Sequence, residues 1–346
     1  MKTRKSKFIT CCILGLLVLA LFAFFYAKKK PAAEPVSATA FKLNTIVTVT
    51  LYDSRDQKLA EEAVALCDKY EKLFSRTLKD SEIYQLNHGT LPKQGNAFVL
   101  SEKTAALIQK GLEYGKLSDG AFDIAIEPVS SLWDFTSEEK RIPSHEELRN
   151  ALPLVDYRDA ELRGNLLTFK KDGMGLDLGA IAKGYIADEI KVFLLEKGVK
   201  SATINLGGNV LCVGEKPEGV PFKIGIQKPF ADRSETIAVM EITDKSVVSS
   251  GIYERYFEKD GTFYHHILNP KTGYPYDNHL VSVTIISDKS VDGDGLSTSC
   301  FALGLEKGME LINSLPDVQA VFITDDYELH YSEGFKDKIK IKAVEK

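Results

Sequence analysis

The chain has 346 residues, 44% hydrophobic and 27% charged, enough to bury a sizeable core and too apolar for a disordered polymer. Its net charge of −5 hides a split: residues 1–30 carry seven Lys/Arg and no acid, leaving 37 bases against 49 acids, a net of −12, in the remainder. That balance excludes a general nucleic-acid binder, so any anionic ligand must be held by a local device: one lysine, backbone N–H groups or a metal.

Lys2, Arg4, Lys5 and Lys7 precede an uncharged run over 8–27, and Lys28, Lys29 and Lys30 follow it. The run is about as long as a bilayer-spanning helix needs, roughly 20 residues. It is longer than a signal-peptide core of about 7–15. Residues 1–30 therefore read as an uncleaved signal-anchor; a cleaved signal peptide, with Ala38-Thr39-Ala40 as a distant site, is the alternative. Cys11 and Cys12 sit at the start of the run, which does not fit a lipoprotein attachment site. With the N-terminus inside, the body lies outside the cell. PAAEPVSATA (31–40) reads as a linker, and 41–346 as the functional domain.

FKLNTIVTVTLYD (41–53) alternates as a strand. Leu59, Ala63, Leu66, Tyr70 and Leu73 recur at helical spacing within 55–75. A second helix over 104–117 stops at Ser118-Asp119-Gly120; 131–165 is polar and irregular, with a short helix near 144–152. A helix reaching about Gly198 is followed by the β-rich segments SATINL, NVLCVG, FKIGIQ, TIAVMEI and SVVSSG. A hairpin turns at Lys259-Asp260-Gly261-Thr262. Then come the strand LVSVTIIS, a helix over 295–315 broken near Gly304, and the strands VQAVFIT and YELHYS. There is no steady βαβ rhythm, so the class is α+β. Cys67, Cys212 and Cys300 lack paired spacing; they read as buried free thiols rather than a zinc site.

Two stretches carry chemistry. In GMGLDLGAIAKGYIADEI (173–190), Lys183 is the only cation and falls where a loop becomes a helix. A cation there opposes the helix dipole by a few tenths of a kcal/mol or more, a cost that an adjacent anion removes. Glycines before a helix also let N–H groups approach a phosphate. The plain alternative is a tight turn at Gly173, Gly175 and Gly179 before a solvated lysine. In VDGDGLSTSCFALG (291–304), Asp294 and Thr298 share one helix face and offer two hard oxygens of the kind Mg²⁺ or Ca²⁺ prefers. The competing reading makes Asp294 or Ser297 a helix N-cap. EF-hand, P-loop and dinucleotide fingerprints are absent. SDGAFDIAIEPVSSLWDF (118–135) reads as a core-entry turn or as the wall of an aromatic ligand site. His265 and His266 are adjacent in a strand, so one at most faces any given site.

Taken in order, FSRTLKDSEIYQLN, SDGAFD, LDLGAIAKGY, INLGGNV, KIGIQKP, SSGIYERYF, HHILNPKTG and DGLSTSCFALG resemble the FAD:protein FMN transferases of the ApbE type, from about 41 to 335. The resemblance implies an α+β, T-fold-related architecture of mixed sheets and packed helices, two subdomains enclosing an FAD cleft. It implies cleavage of FAD, transfer of FMN to a Thr or Ser hydroxyl of an acceptor flavoprotein at or near the membrane, and release of AMP. It implies a divalent metal, normally Mg²⁺ with Ca²⁺ or Mn²⁺ as alternatives, on Asp294, Thr298 and the Ala180 carbonyl. Asp177 and Lys183 then fall at FAD, Ala121, Phe122 and Asp123 around its adenosine part, and Ile267 near the flavin. Leu43 and Thr77 fall at the flavin edge, where the family often has Met-Gly-Thr and an aromatic; Asn269 stands where Asp is common. His266 becomes the proton acceptor and, with Lys183, the catalytic pair. Rival expectations are an FAD pyrophosphatase, a non-catalytic flavin-binding surface protein, and an ectodomain with no ligand.

Overall fold

The computed structural model describes residues 34–344, so the signal-anchor expected over 1–30 lies outside them. Among the described residues no helix is long and apolar enough to cross a membrane. The chain enters on β1 (Val36–Lys42) and returns on β2 (Thr45–Leu51). Between them Leu43 and Asn44 take φ of 53° and 56°, the backbone of a two-residue hairpin turn. This corrects two expectations. The linker over 31–40 ends in strand from Val36, and the single strand over 41–53 is a hairpin. Small residues in VSATA hide an alternation that pairing with β2 reveals, since Ala38 is buried opposite Val49.

Next come α1 (Gln57–Phe74), α2 (Glu82–Asn87), β3 (Lys93–Gln94), β4 (Ala97–Val99) and α3 (Glu102–Leu117). The side chains of Asp56, Ser81 and Ser101 cap the three helices. After α3, Asp119 and Gly120 turn with φ of 51° and 76°, as SDG predicts. The stretch 127–169 holds α4 (Glu127–Ser130), α5 (His145–Ala151), β5 (Ala160–Arg163) and β6 (Leu166–Phe169). The second pair was not legible in a polar segment. Then follow α6 (Ala182–Glu196), β7 (Ala202–Leu206), β8 (Asn209–Val213), β9 (Phe222–Gln227), β10 (Thr236–Ile242) and β11 (Ser246–Gly251). The β12 (Tyr256–Lys259) and β13 (Thr262–His265) hairpin turns where expected, at Asp260 and Gly261. The chain closes with β14 (Leu280–Ser287), α7 (Ser290–Leu303), α8 (Leu305–Asn313), β15 (Gln319–Thr324), β16 (Leu329–Tyr331), α9 (Phe335–Lys338) and β17 (Lys340–Ala343).

The architecture is mixed α+β. An eight-stranded antiparallel sheet runs β1-β2-β7-β8-β11-β14-β15-β16, with smaller sheets of four, three and two strands. The central strands of the large sheet are buried on both faces. Leu211, Val213, Val283, Ile285, Ala320 and Phe322 join the core under the helices. Their neighbours Cys212, Ile286, Val321 and Ile323 pack on the other side against Phe222, Met240 and Phe335, from β9, β10 and α9. Alternate residues thus serve two cores, which is why LVSVTIIS is buried at every position. Trp133 belongs to a third cluster with Val129, Leu148 and Phe257, and its Nε1 donates to the Gly273 carbonyl at 2.9 Å. Of the two readings of its segment, Trp133 takes the core one.

The helix expected from Gly295 starts five residues earlier, at Ser290, and breaks at Gly304 as expected. Gly293 and Gly295 masked its start, because glycine is a poor helix former. Packing explains both: a Cβ on Gly293 would meet Val248 at 2.6 Å, and one on Gly295 the Tyr114 ring at 2.3 Å. Asp294 and Ser297 therefore lie inside α7, and the helix-cap reading is overturned.

Helices α6 and α7 cross at Gly184, where a Cβ would lie 2.2 Å from the Ser290 carbonyl oxygen. Gly184→Ala tests this crossing. Helix propensity alone would favour Ala by about 1 kcal/mol. The clash is with backbone and cannot be relieved by a rotamer, so net destabilisation of about 1–3 kcal/mol is expected in urea unfolding. A stabilised variant would contradict the close crossing.

Candidate active site

Neither α6 nor α7 begins with a side-chain cap of its own, the N-cap residues being Ile181 and Lys289. Each helix instead caps the other. Asp188 of α6 accepts the backbone N–H groups of Ser290 and Val291 at 2.8 and 2.9 Å. Asp294 of α7 accepts the Gly184 N–H in the first turn of α6. Gly184 is the third residue of α6, so its N–H is one of the four at a helix start that have no intrahelical partner. The Ala180 carbonyl, one residue before the N-cap, lies outside the α6 hydrogen-bond ladder.

Asp294 is 5% exposed. Burial raises its pKa; the Lys183 charge, the Gly184 N–H and Asn209 all pull it back toward the ionised form. Asn209 donates Nδ2 to Asp294 Oδ1 at 3.1 Å and accepts the Ser290 hydroxyl at 2.7 Å. Thr298 lies one turn along α7, its Oγ1 3.1 Å from Ser250 Oγ of β11. Asp294 and Thr298 offer a carboxylate and a hydroxyl, hard oxygens of the kind a small dication prefers. Among the described residues no cluster of three or more His, Cys, Asp or Glu side chains offers a metal site. The donor chemistry fits Mg²⁺, Ca²⁺ or Mn²⁺ rather than zinc.

The two histidines divide as the alternation requires. His265 is buried, its Nε2 2.8 Å from the Tyr276 carbonyl and its Nδ1 accepting the Ile267 N–H at 3.3 Å. Burial lowers its pKa to about 4, so it is a neutral structural residue. His266 is half-buried, with Nδ1 3.3 Å from the Arg255 carbonyl. A carbonyl can only accept, so Nδ1 carries the proton and Nε2 keeps a lone pair. Burial first, then the charges of Arg255, His265 and Lys183, hold its pKa well below the usual imidazole value. The Lys183 charge thus acts on both Asp294 and His266.

Asp177 is three residues before Ala180. It accepts the Gly179 N–H and the Ser130 hydroxyl, each at 2.9 Å, and pairs with Arg76 Nε at 3.0 Å. The neighbouring Thr77 is exposed, so it is Arg76 that ties its loop to this turn. Leu43 occupies the tip of the β1–β2 hairpin. Ala121 accepts the Tyr276 hydroxyl at 2.9 Å through its carbonyl. Phe122 and Asp123 turn inward. The Phe122 ring packs 5.9 Å from that of Tyr114, and both Asp123 oxygens accept backbone N–H groups, of Ala125 at 2.7 Å and Tyr157 at 2.9 Å. Ile267 is a core residue. The structure therefore groups Asp294, Gly184 and Thr298 through α6 and α7, with Asn209 and Ser250 reaching them from the large sheet. No direct contact draws Leu43, Thr77 or Phe122 into that group.

Sequence reasoning missed Arg76, Asp188, Asn209 and Ser250. All four lie within quoted stretches, but their partners are 48 to 103 residues away, and spacing reveals no such contact.

Residues 43–322 match the ApbE family. A Klebsiella pneumoniae (strain 342) protein named FAD:protein FMN transferase is 38% identical over 295 residues, 85% of this chain and 90% of that protein. A Treponema pallidum (strain Nichols) protein of the same name is 32% identical over 348 residues, 95% of each. Among solved structures, the flavin transferase ApbE from Vibrio cholerae superposes with a TM-score of 0.78 at 28% identity, covering 89% of this chain and 99% of that one.

The inter-helix caps have a pH signature. Burial raises the pKa of Asp188 to about 6, from an ordinary value of 3.8. The folded state then holds a proton that the unfolded state releases, so this group's contribution is complete below about pH 4 and lost as pH rises through about 6. Asp123 titrates in the same window, its pKa also raised to about 6 by burial. Unfolding free energy measured from pH 4 to 6 should fall with pH, and Asp188→Asn should make that fall shallower. An unchanged slope would show that Asp188 is not buried against α7. Family model, relatives and fold agree: the chain belongs to the ApbE family.

Proposed function

We propose that this protein is an FAD:protein FMN transferase. The observation that carries the reading is a buried carboxylate, Asp294, locked to the first turn of α6 beside Lys183, and the support from His266 is an Nε2 lone pair left by the bond of Nδ1 to the Arg255 carbonyl. The names of its relatives support the same activity.

Asp294, the Thr298 hydroxyl and the Ala180 carbonyl would hold a divalent metal, Mg²⁺ before Ca²⁺ or Mn²⁺. When bound, such a metal neutralises charge on a diphosphate, the main requirement of phosphoryl transfer. Lys183 shares that load in a body of net −12 and binds the same diphosphate. Asp177, held by Arg76 and Ser130, orients the loop that meets FAD; the 121–123 turn borders the adenosine part through its backbone. Leu43, Thr77 and Ile267 border the flavin. His266 Nε2 takes the proton of a Thr or Ser hydroxyl on the acceptor flavoprotein. The hydroxyl oxygen bonds to the FMN-side phosphorus, the bridging P–O bond breaks, and AMP leaves with the electron pair. The 1–30 signal-anchor places this domain outside the cytoplasmic membrane, near membrane or surface flavoproteins.

The test uses full-length chain in detergent with FAD, Mg²⁺ and candidate acceptors. Mass spectrometry should find an acceptor carrying FMN, and AMP should be released in equal amount. Asp294→Asn should abolish transfer. His266→Gln should keep FAD binding and lose about 10²–10⁴-fold in rate. Free FMN with no adduct on any acceptor would make the protein a pyrophosphatase, and bound FAD with no turnover a storage protein.

A further inference from the structure

Hydroxyl groups around Thr298 have a forced direction. Ser297 Oγ donates to the backbone carbonyl of Asp294 at 3.0 Å, and a carbonyl can only accept. Ser297 has one proton, so toward Ser250, 2.8 Å away, its oxygen must accept. Ser250 thus spends its own proton on Ser297. Toward Thr298 Oγ1, at 3.1 Å, Ser250 can only accept, and Thr298 is the donor. The protons run one way: Thr298 to Ser250, Ser250 to Ser297, Ser297 to the carbonyl of Asp294.

This order has a chemical consequence. A neutral hydroxyl binds a cation through an oxygen lone pair, and its proton must point elsewhere. Were Ser250 the donor, it would occupy a Thr298 lone pair and leave the Thr298 proton free to turn toward the cation. We infer that Ser250 is a positioning residue of the cation site: by accepting the Thr298 proton it presents the Thr298 oxygen as a ligand. Ser297 secures the direction by taking Ser250's own proton. Ser297 is fully buried and Ser250 half-buried on β11, so water competes little for the Ser250–Ser297 link that sets the direction. Ser250 pairs with Val283 of β14 in the middle of the large sheet, a backbone position held independently of α7. The inference rests on the assignment of Asp294 and Thr298 to a divalent cation.

The experiment measures Mn²⁺ binding by electron paramagnetic resonance on the full-length chain in detergent, with no FAD present. Partners that orient a metal ligand typically contribute about 10–100-fold in affinity. Ser250→Ala should weaken Mn²⁺ by about 10-fold or more within that range. Ser297→Ala leaves the Thr298–Ser250 contact intact but frees Ser250 to donate; it should weaken Mn²⁺ too. In a Thr298→Val background, Ser250→Ala should have no further effect, because it acts only through the threonine hydroxyl. Thermal unfolding of each variant checks that the fold is kept; if Ser250→Ala unfolds, Ser297→Ala with the Thr298→Val cycle on it serves the same purpose. Undiminished Mn²⁺ affinity in Ser250→Ala, or an equal loss with and without the Thr298 hydroxyl, overturns the role of Ser250. If the unsubstituted chain binds no Mn²⁺, or Asp294→Asn binds it equally well, the cation-site assignment itself fails.

Discussion

Everything in the candidate site depends on two helices that cap each other. Asp188 of α6 satisfies the first N–H groups of α7, and Asp294 of α7 satisfies an N–H in the first turn of α6. A helix start leaves four N–H groups without intrahelical partners and carries a partial positive charge. Two such ends buried near each other would be costly. Exchanging carboxylates solves the problem for both helices, and it does so only if they approach very closely. Gly184 makes that approach possible.

The arrangement also creates the chemistry. Placing Asp294 in the interior removes a carboxylate from water, a cost of several kcal/mol unless charge and hydrogen bonds offset it. Gly184, Asn209 and Lys183 supply that compensation, and a bound dication would complete it. Structural and functional demands thus fall on the same few atoms. Lys183, unfavourable at a helix start in isolation, is balanced by the carboxylate its own helix captures.

The large sheet acts as the frame. Because its central strands are buried on both faces, β8 and β11 cannot slip in register without moving one apolar set into the wrong core. Asn209 at the start of β8 and Ser250 near the end of β11 therefore reach Asp294 and Thr298 from fixed positions. The rigid elements hold the polar partners, and the turns at 43–44, 119–120 and 177–180 present the more accessible groups.

The sequence alone determined the mixed α+β class, most strands and helices, the Gly304 break, the Asp260–Gly261 hairpin, the buried thiols and, through its ordered motifs, the family. These are local properties: alternation, helical spacing, turn residues and residue type within a few positions. What only the tertiary structure decided is of another kind. It removed Asp294 from the role of helix cap to its own helix and made it a cap to another. It turned Asp123 and Phe122 inward, assigned His265 to structure and left His266 its lone pair. It also brought in Arg76, Asp188, Asn209 and Ser250. Those that build the α6–α7 junction are contacts between residues far apart in the chain, and the strength of such a contact comes from burial. Burial is set by what packs around a residue, which no short stretch of sequence contains.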